Sequence, residues 1–148
     1  MKKLIFMCLV AVSFTTGIFA SPLPDASEKI LKLFHHDFPD VQKQIFHDYG
    51  DSYVVYFKKE DNSSCRVYYN LDGTMLKTIK YYSDTELDPF IRAKVNARYK
   101  GKTIFGVTEV ASNEEHFYQI ILQDSKKWYT IKSDATGSIT LVSKLVKT

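Results

Sequence analysis

The chain has 148 residues, 20 Lys and Arg against 17 Asp and Glu, a net charge of +3 and 45% hydrophobic residues. Its basic residues are scattered among acidic ones rather than massed, which excludes the electrostatic footprint of a nucleic-acid-binding protein. Two cysteines, Cys8 and Cys65, bound the disulfide chemistry to a single bridge at most.

Met1-Lys2-Lys3 opens the chain, an apolar run follows over residues 4–12, and Ser21-Pro22-Leu23-Pro24 begins the polar part. This pattern predicts a secretory signal peptide over 1–20, cut after Ala20, although Ile18 stands where a small residue is preferred. The run is too short, and too interrupted by Ser13, Thr15, Thr16 and Gly17, to span a bilayer. Cleavage removes Cys8 and leaves Cys65 alone, so packing must supply the stability of the exported part. That part, about 128 residues, can bury a workable core. No membrane insertion is expected after cleavage, and a periplasmic or secreted location follows.

Two amphipathic helices are predicted, over 27–36 and 88–99. In the first, Ile30, Leu31, Phe34 and Phe38 fall on one stripe, Asp25 and Glu28 make a capping-box-like pair, and Pro39 closes the segment. In the second, Asp88 is the N-cap, Pro89 takes the first helical position, Ile91, Val95 and Tyr99 repeat the stripe, and Gly101 ends it. After each helix the period changes from 3.6 to 2. Val41, Ile45 and Tyr49 are followed by runs at 53–57, 65–69 and 75–82; the second set is 104–110, 117–122, 128–131 and 139–146. Their Tyr, Phe, Val, Ile and Thr content marks strands.

Asn70-Leu71-Asp72-Gly73 and Asp134-Ala135-Thr136-Gly137 each begin with an Asx residue and finish with glycine, as a type I turn closed by a left-handed residue requires. Each set of strands therefore reads as an antiparallel meander. Aligning the two glycines makes Val67 equivalent to Ile131 and Cys65 to Tyr129, on the face the helices should cover. The predicted fold is α+β: tandem units of one helix and four strands, residues 21–83 and 84–148, forming one domain with the helices on one face of an antiparallel sheet.

The signal-peptide start, the stretch 34–39, Tyr53-Val-Val-Tyr-Phe, Cys65-Arg-Val-Tyr-Tyr-Asn-Leu-Asp-Gly, Ile104-Phe-Gly-Val-Thr-Glu-Val and Trp128-Tyr-Thr-Ile-Lys-Ser-Asp resemble the PepSY-like family of exported Bacteroidetes proteins, also described as β-lactamase-inhibitor-protein-like. The resemblance covers the whole mature chain. It implies helices packed on an antiparallel sheet in repeated units, in a periplasmic or secreted protein, and carries over no catalytic residue. The inhibitor that names the group uses disulfides this chain cannot make, so inhibition is an analogy of fold alone.

Catalytic and metal chemistry find little support in the spacing of the residues. His35 and His36 point about 100° apart on a helix, no His-x-x-x-His or Cys-x-x-Cys occurs, and the four histidines read as solvated. Cys65 alternates with Val67 and Tyr69 on a core-facing strand, with no cation adjacent on that face, and reads as a buried inert thiol. Ser63, Ser64, Asp84, Glu86, Asp88, Glu114 and Glu115 read as turn, cap and hairpin-tip residues. No metal, cofactor or catalytic residue is expected.

The aromatic content offers more. If Tyr53, Val55 and Phe57 face the helices, alternation turns Val54, Tyr56 and Lys58 outward, with Arg66 and Tyr68 beside them and Trp128, Thr130 and Lys132 in the matching row. Tyr56, Arg66, Tyr68, Trp128 and Lys132 are thus the candidate partner-binding residues, of the types that dominate interface hot spots. They point to a non-catalytic exported module that binds a protein or peptide of the envelope. A periplasmic small-ligand or ion-binding protein is the alternative, and it requires a pocket between helices and sheet.

Overall fold

The computed structural model describes residues 25–148, and the expected signal peptide lies outside them. Helix α1 (Asp25–Asp37) buries Ile30 and Phe34 completely and Leu31 and Phe38 in part, as the stripe predicts. It takes in Asp25 and Ala26 as well, ahead of the apolar stripe, and Ser27 in this first part is buried. Asp25 thus lies within the helix rather than before it, and Glu28 pairs with Lys32 one turn on, at 3.0 Å.

Four strands follow: β1 (Gln44–Asp48), β2 (Ser52–Lys58), β3 (Ser64–Asn70) and β4 (Met75–Tyr82). A single 3₁₀ turn (Asp84–Glu86) then leads to α2 (Pro89–Arg98). Asp88 caps this helix, its Oδ1 accepting the N–H groups of Phe90 at 2.9 Å and Ile91 at 3.1 Å, while Pro89 occupies the position where a missing N–H costs nothing. The remaining strands are β5 (Thr103–Ser112), β6 (His116–Gln123), β7 (Lys127–Asp134) and β8 (Ile139–Val146). All eight form one sheet in sequence order, with every neighbouring pair antiparallel. The fold is α+β, with both helices on one face.

Two clusters fill the space under the helices. Beneath α1, Ile30 and Phe34 meet Tyr53, Val55, Phe57, Cys65, Val67 and Tyr69. Beneath α2, Ile91 and Val95 meet Leu87, Val107, Ile120, Leu122 and Ile131, with Tyr82, Tyr118 and Tyr129 at the margin. Val67 and Ile131, made equivalent by the glycine alignment, are both buried on this inner face.

The two glycine turns lie directly under the helices. Gly73 has φ +89° and Gly137 φ +80°, a region that disfavours any side chain. A Cβ on Gly73 would stand 2.6 Å from Leu33 Cδ1, and one on Gly137 2.7 Å from Lys94 Cδ, so each turn also needs glycine for room. The turns close alike: Gly73 N–H donates to Asn70 O and Gly137 N–H to Asp134 O, both at 3.1 Å.

Candidate binding face

Strand pairing assigns every side chain of the outer face, the one turned away from the helices. Ile45, Tyr56, Arg66, Ile79, Val110 and Phe117 form one row across β1 to β6. The next row holds Lys58, Ser64, Tyr81, Thr108, Gln119, Lys132 and Thr140. Tyr56, Arg66, Tyr68, Trp128 and Lys132 therefore all lie on the outer face, as alternation predicts.

They do not make one patch. Tyr56, Arg66 and Tyr68 gather on β2 and β3, whereas Trp128 and Lys132 lie on β7. Five strand spacings separate β2 from β7, roughly 24 Å. In the first cluster the Arg66 guanidinium is sandwiched between the Tyr56 ring, 5.1 Å away, and the Tyr81 ring, 5.0 Å away. Such stacking fixes a cation without neutralising it. His47 stands edge-on to Tyr56 at 5.1 Å, and the hydroxyls of Tyr49 and Tyr56 are 3.3 Å apart. That hydrogen bond, with some burial, holds the Tyr56 phenol above its ordinary pKa, so it stays a neutral donor and acceptor at physiological pH.

Val54 departs from the simple alternation, since it faces outward yet is only 2% exposed. With Tyr49, Asp51, Ser52, Tyr56 and Tyr68 it lines a shallow depression of about 270 Å³, its floor apolar and its walls phenolic. The sequence period shows which way Val54 points but not that long neighbours shelter it.

In the second cluster Phe105 stands edge-on to Trp128 at 4.9 Å, and the Lys147 ammonium lies 4.4 Å from the Trp128 ring. Lys132 sits 3.6 Å from the Phe117 ring centroid and 3.6 Å from the Glu115 carboxylate. Phe105 is 60% exposed, and simple alternation along the strand does not turn it to this face. The β5 register shift between Ile104 and Gly106 brings it there, and no period in the sequence announces that shift.

On the inner face, strands β4 to β6 carry a cluster of polar groups. Tyr82 donates its hydroxyl to Glu109 Oε2 at 2.7 Å, and His116 Nε2 lies 2.8 Å from Glu109 Oε1. Burial, and then that bond to Glu109, push the Tyr82 hydroxyl far above its usual pKa. His116 is thus engaged with Glu109 rather than simply solvated, and Glu115 reaches Lys132. Lys80, directly opposite Cys65 on β4, supplies the cation that sequence spacing does not place on that face. Its ammonium is drawn 3.7 Å from Asp61 and lies over the Tyr82 ring, and burial, the leading effect, raises the Cys65 thiol. Among the described residues, no group of three or more His, Cys, Asp or Glu side chains could hold a metal ion. None of the described helices is long and apolar enough to cross a membrane.

No family model and no curated protein matches the chain. Solved structures do. A DUF2874 family protein from Bacteroides ovatus superposes with a TM-score of 0.62 at 15% identity, over 83% of this chain and 86% of that one. A BLIP-like protein from Bacteroides fragilis gives 0.62 at 13% identity, over 81% and 85%. This chain has their fold. A Bacteroides eggerthii protein provisionally described as periplasmic gives 0.61 at 15% identity, over 83% and 88%. At these identities it is the backbone arrangement that is held in common, and the side chains of each face are this chain's own.

Proposed function

We propose that the chain is an exported, non-catalytic binding module of the PepSY-like type, acting in the periplasm or after secretion, whose outer sheet face recognises a protein or peptide of the envelope. The two units, 21–83 and 84–148, serve as one rigid platform. The observation that carries this reading is the Tyr56–Arg66–Tyr81 stack beside the shallow, phenol-walled depression over Val54. Flat aromatic and guanidinium surface, held in place before any partner arrives, loses little entropy on binding and suits a protein surface better than an enclosed small molecule. The BLIP-like and periplasmic descriptions of structural neighbours agree in kind.

Affinity capture from an envelope extract, read by mass spectrometry, tests the proposal. The chain should retain a partner that Tyr56→Ala and Trp128→Ala lose while both variants keep the wild-type far-UV spectrum. Capture retained by both folded variants removes the outer face as the site.

A further inference from the structure

An eight-stranded open sheet has two unpaired edges, and here they differ. β1 is five residues long; β8 is eight. On β8, Leu141, Val142, Leu145 and Val146 are 47%, 60%, 63% and 70% exposed, an unusual concentration of bare aliphatic surface on one free strand. Lys147 N–H donates to Lys126 O at 2.8 Å, toward β7. In an antiparallel ladder successive residues turn their peptide groups to opposite sides, so the N–H and C=O of Lys144 and Val146 face the open edge.

Charge selects what can lie there. Residues 126–148 carry five lysines, Lys126, Lys127, Lys132, Lys144 and Lys147, against Asp134 alone. Lys132 is held by Glu115, but among the described residues no carboxylate lies within ion-pair distance of Lys126, Lys127, Lys144 or Lys147. A second copy added antiparallel at β8 would bring two such lysine sets together, and like charges across a strand pair are destabilising. An acidic strand would meet the opposite field.

We infer that the β8 edge is a strand-addition site for an extended acidic segment with aliphatic residues at alternate positions. Backbone bonds to Lys144 and Val146 supply the affinity, and the lysines set the charge of the segment. On the outer face an aliphatic side chain of the guest lies beside Leu145, at the border of the Phe105–Trp128 pair; on the inner face a carboxylate meets Lys144. The site is distinct from the Tyr56–Arg66 cluster on the far strands and does not depend on it.

The test uses two capped octapeptides, alternating Glu-Val and alternating Lys-Val, titrated into the ¹⁵N-labelled chain. The acidic peptide should shift the Lys144 and Val146 amides, slow their hydrogen exchange and bind at least about tenfold more tightly than the basic one, an advantage that shrinks with salt. Val146→Pro, which removes a free edge donor without touching the β7 ladder, should abolish the exchange protection. Lys144→Glu should weaken the acidic peptide's binding by about tenfold, and Tyr56→Ala should leave it unchanged. Equal response to both peptides, no response of the β8 amides, or a concentration-dependent dimer of the chain alone would overturn the proposal; in the last case the edge would be a self-interface guarded by its lysines.

Discussion

The two helix-covered cores solve the same packing problem with different side chains. Under α1 the filling is aromatic: Phe34 stacks on Phe38 at 5.1 Å and stands edge-on to Phe57 at 5.3 Å, with Tyr53 and Tyr69 beside them. Under α2 it is aliphatic, with Ile91, Val95, Leu87, Ile120, Leu122 and Ile131. The aromatic core brings a polar cost that the aliphatic one avoids. Tyr69 is 1% exposed and its hydroxyl has no hydrogen-bond partner among the described residues, whereas the hydroxyls at the margin of the second core reach carboxylates, Tyr82 to Glu109 and Tyr129 to Asp124. The turns differ in the same sense. Asn70 Oδ1 accepts one backbone N–H, from Thr74, whereas Asp134 Oδ1 accepts those of Thr136 and Ser138 together with the Thr136 hydroxyl. One architecture thus rests on volume and ring contact in its first half and on satisfied polar ends in its second.

Truncation should expose that difference most strongly. Phe34→Ala removes a fully buried ring on which two other rings rest and should cost about 3–5 kcal/mol by urea denaturation. Ile120→Ala, in the aliphatic core, should cost about 2–4 kcal/mol. A loss for Phe34→Ala no larger than that for Ile120→Ala would mean that the ring contacts add nothing, since the ring is also the larger side chain.

The glycine turns come next. Gly73→Ala and Gly137→Ala should each lose about 1–2 kcal/mol, because both demand positive φ and both abut a helix. Gly73 should be the more costly, since fully buried Ile30 also lies 3.4 Å from that Cβ position, while a Cβ on Gly137 meets a flexible lysine and the half-exposed Phe90 ring, which can both shift toward solvent. Melting temperatures of the pair decide the order.

The hydroxyls should respond with opposite signs. Tyr69→Phe deletes a buried group with no partner and should leave stability unchanged or raise it by up to about 1 kcal/mol. Tyr82→Phe strips a donor from Glu109 and should lower stability by about 1 kcal/mol. A drop in both would show that the Tyr69 hydroxyl is satisfied in solution.

The turn carboxylates give the smallest effect, and it depends on pH. The Thr136 hydroxyl and the Ser138 N–H hold Asp134 below the usual carboxylate range; the Lys126 N–H and the Tyr129 hydroxyl do the same for Asp124. A carboxyl whose pKa is lower folded than unfolded contributes its stability fully above the unfolded value, about 4, and loses it as pH falls through the folded value. The advantage of the wild type over Asp134→Asn should therefore be constant near neutrality and vanish in strong acid. An advantage that does not decline at all between neutrality and strong acid would mean that the carboxylate charge is not what closes the turn.

Much of this was legible in the residues. The change of period from 3.6 to 2, the Asp88-Pro89 helix start and the Asx-to-glycine turns have local causes, and the elements they predict are present. Alternation along 53–57 and 65–69 also places Tyr56, Arg66 and Tyr68 on the outer face. What the sequence conceals depends on register between strands. Lys80 comes opposite Cys65 only through the β3–β4 pairing, which shifts between Tyr68 and Tyr69. Glu109 meets Tyr82 from 27 residues away. The separation of Trp128 from Tyr56 follows from strand order, which residue type does not encode.

The central claim is a division of labour, in which the inner sheet face holds the fold and the outer face is free to recognise. Urea denaturation of two matched sets tests it directly. Val55→Ala, Val67→Ala and Ile131→Ala, on the inner face, should each lose about 2 kcal/mol or more. Tyr56→Ala, Arg66→Ala and Trp128→Ala, on the outer face, should lose no more than about 1 kcal/mol and remain fully folded. Outer-face losses equal to those of the inner set would contradict the account, since that face would then be part of what holds the protein together.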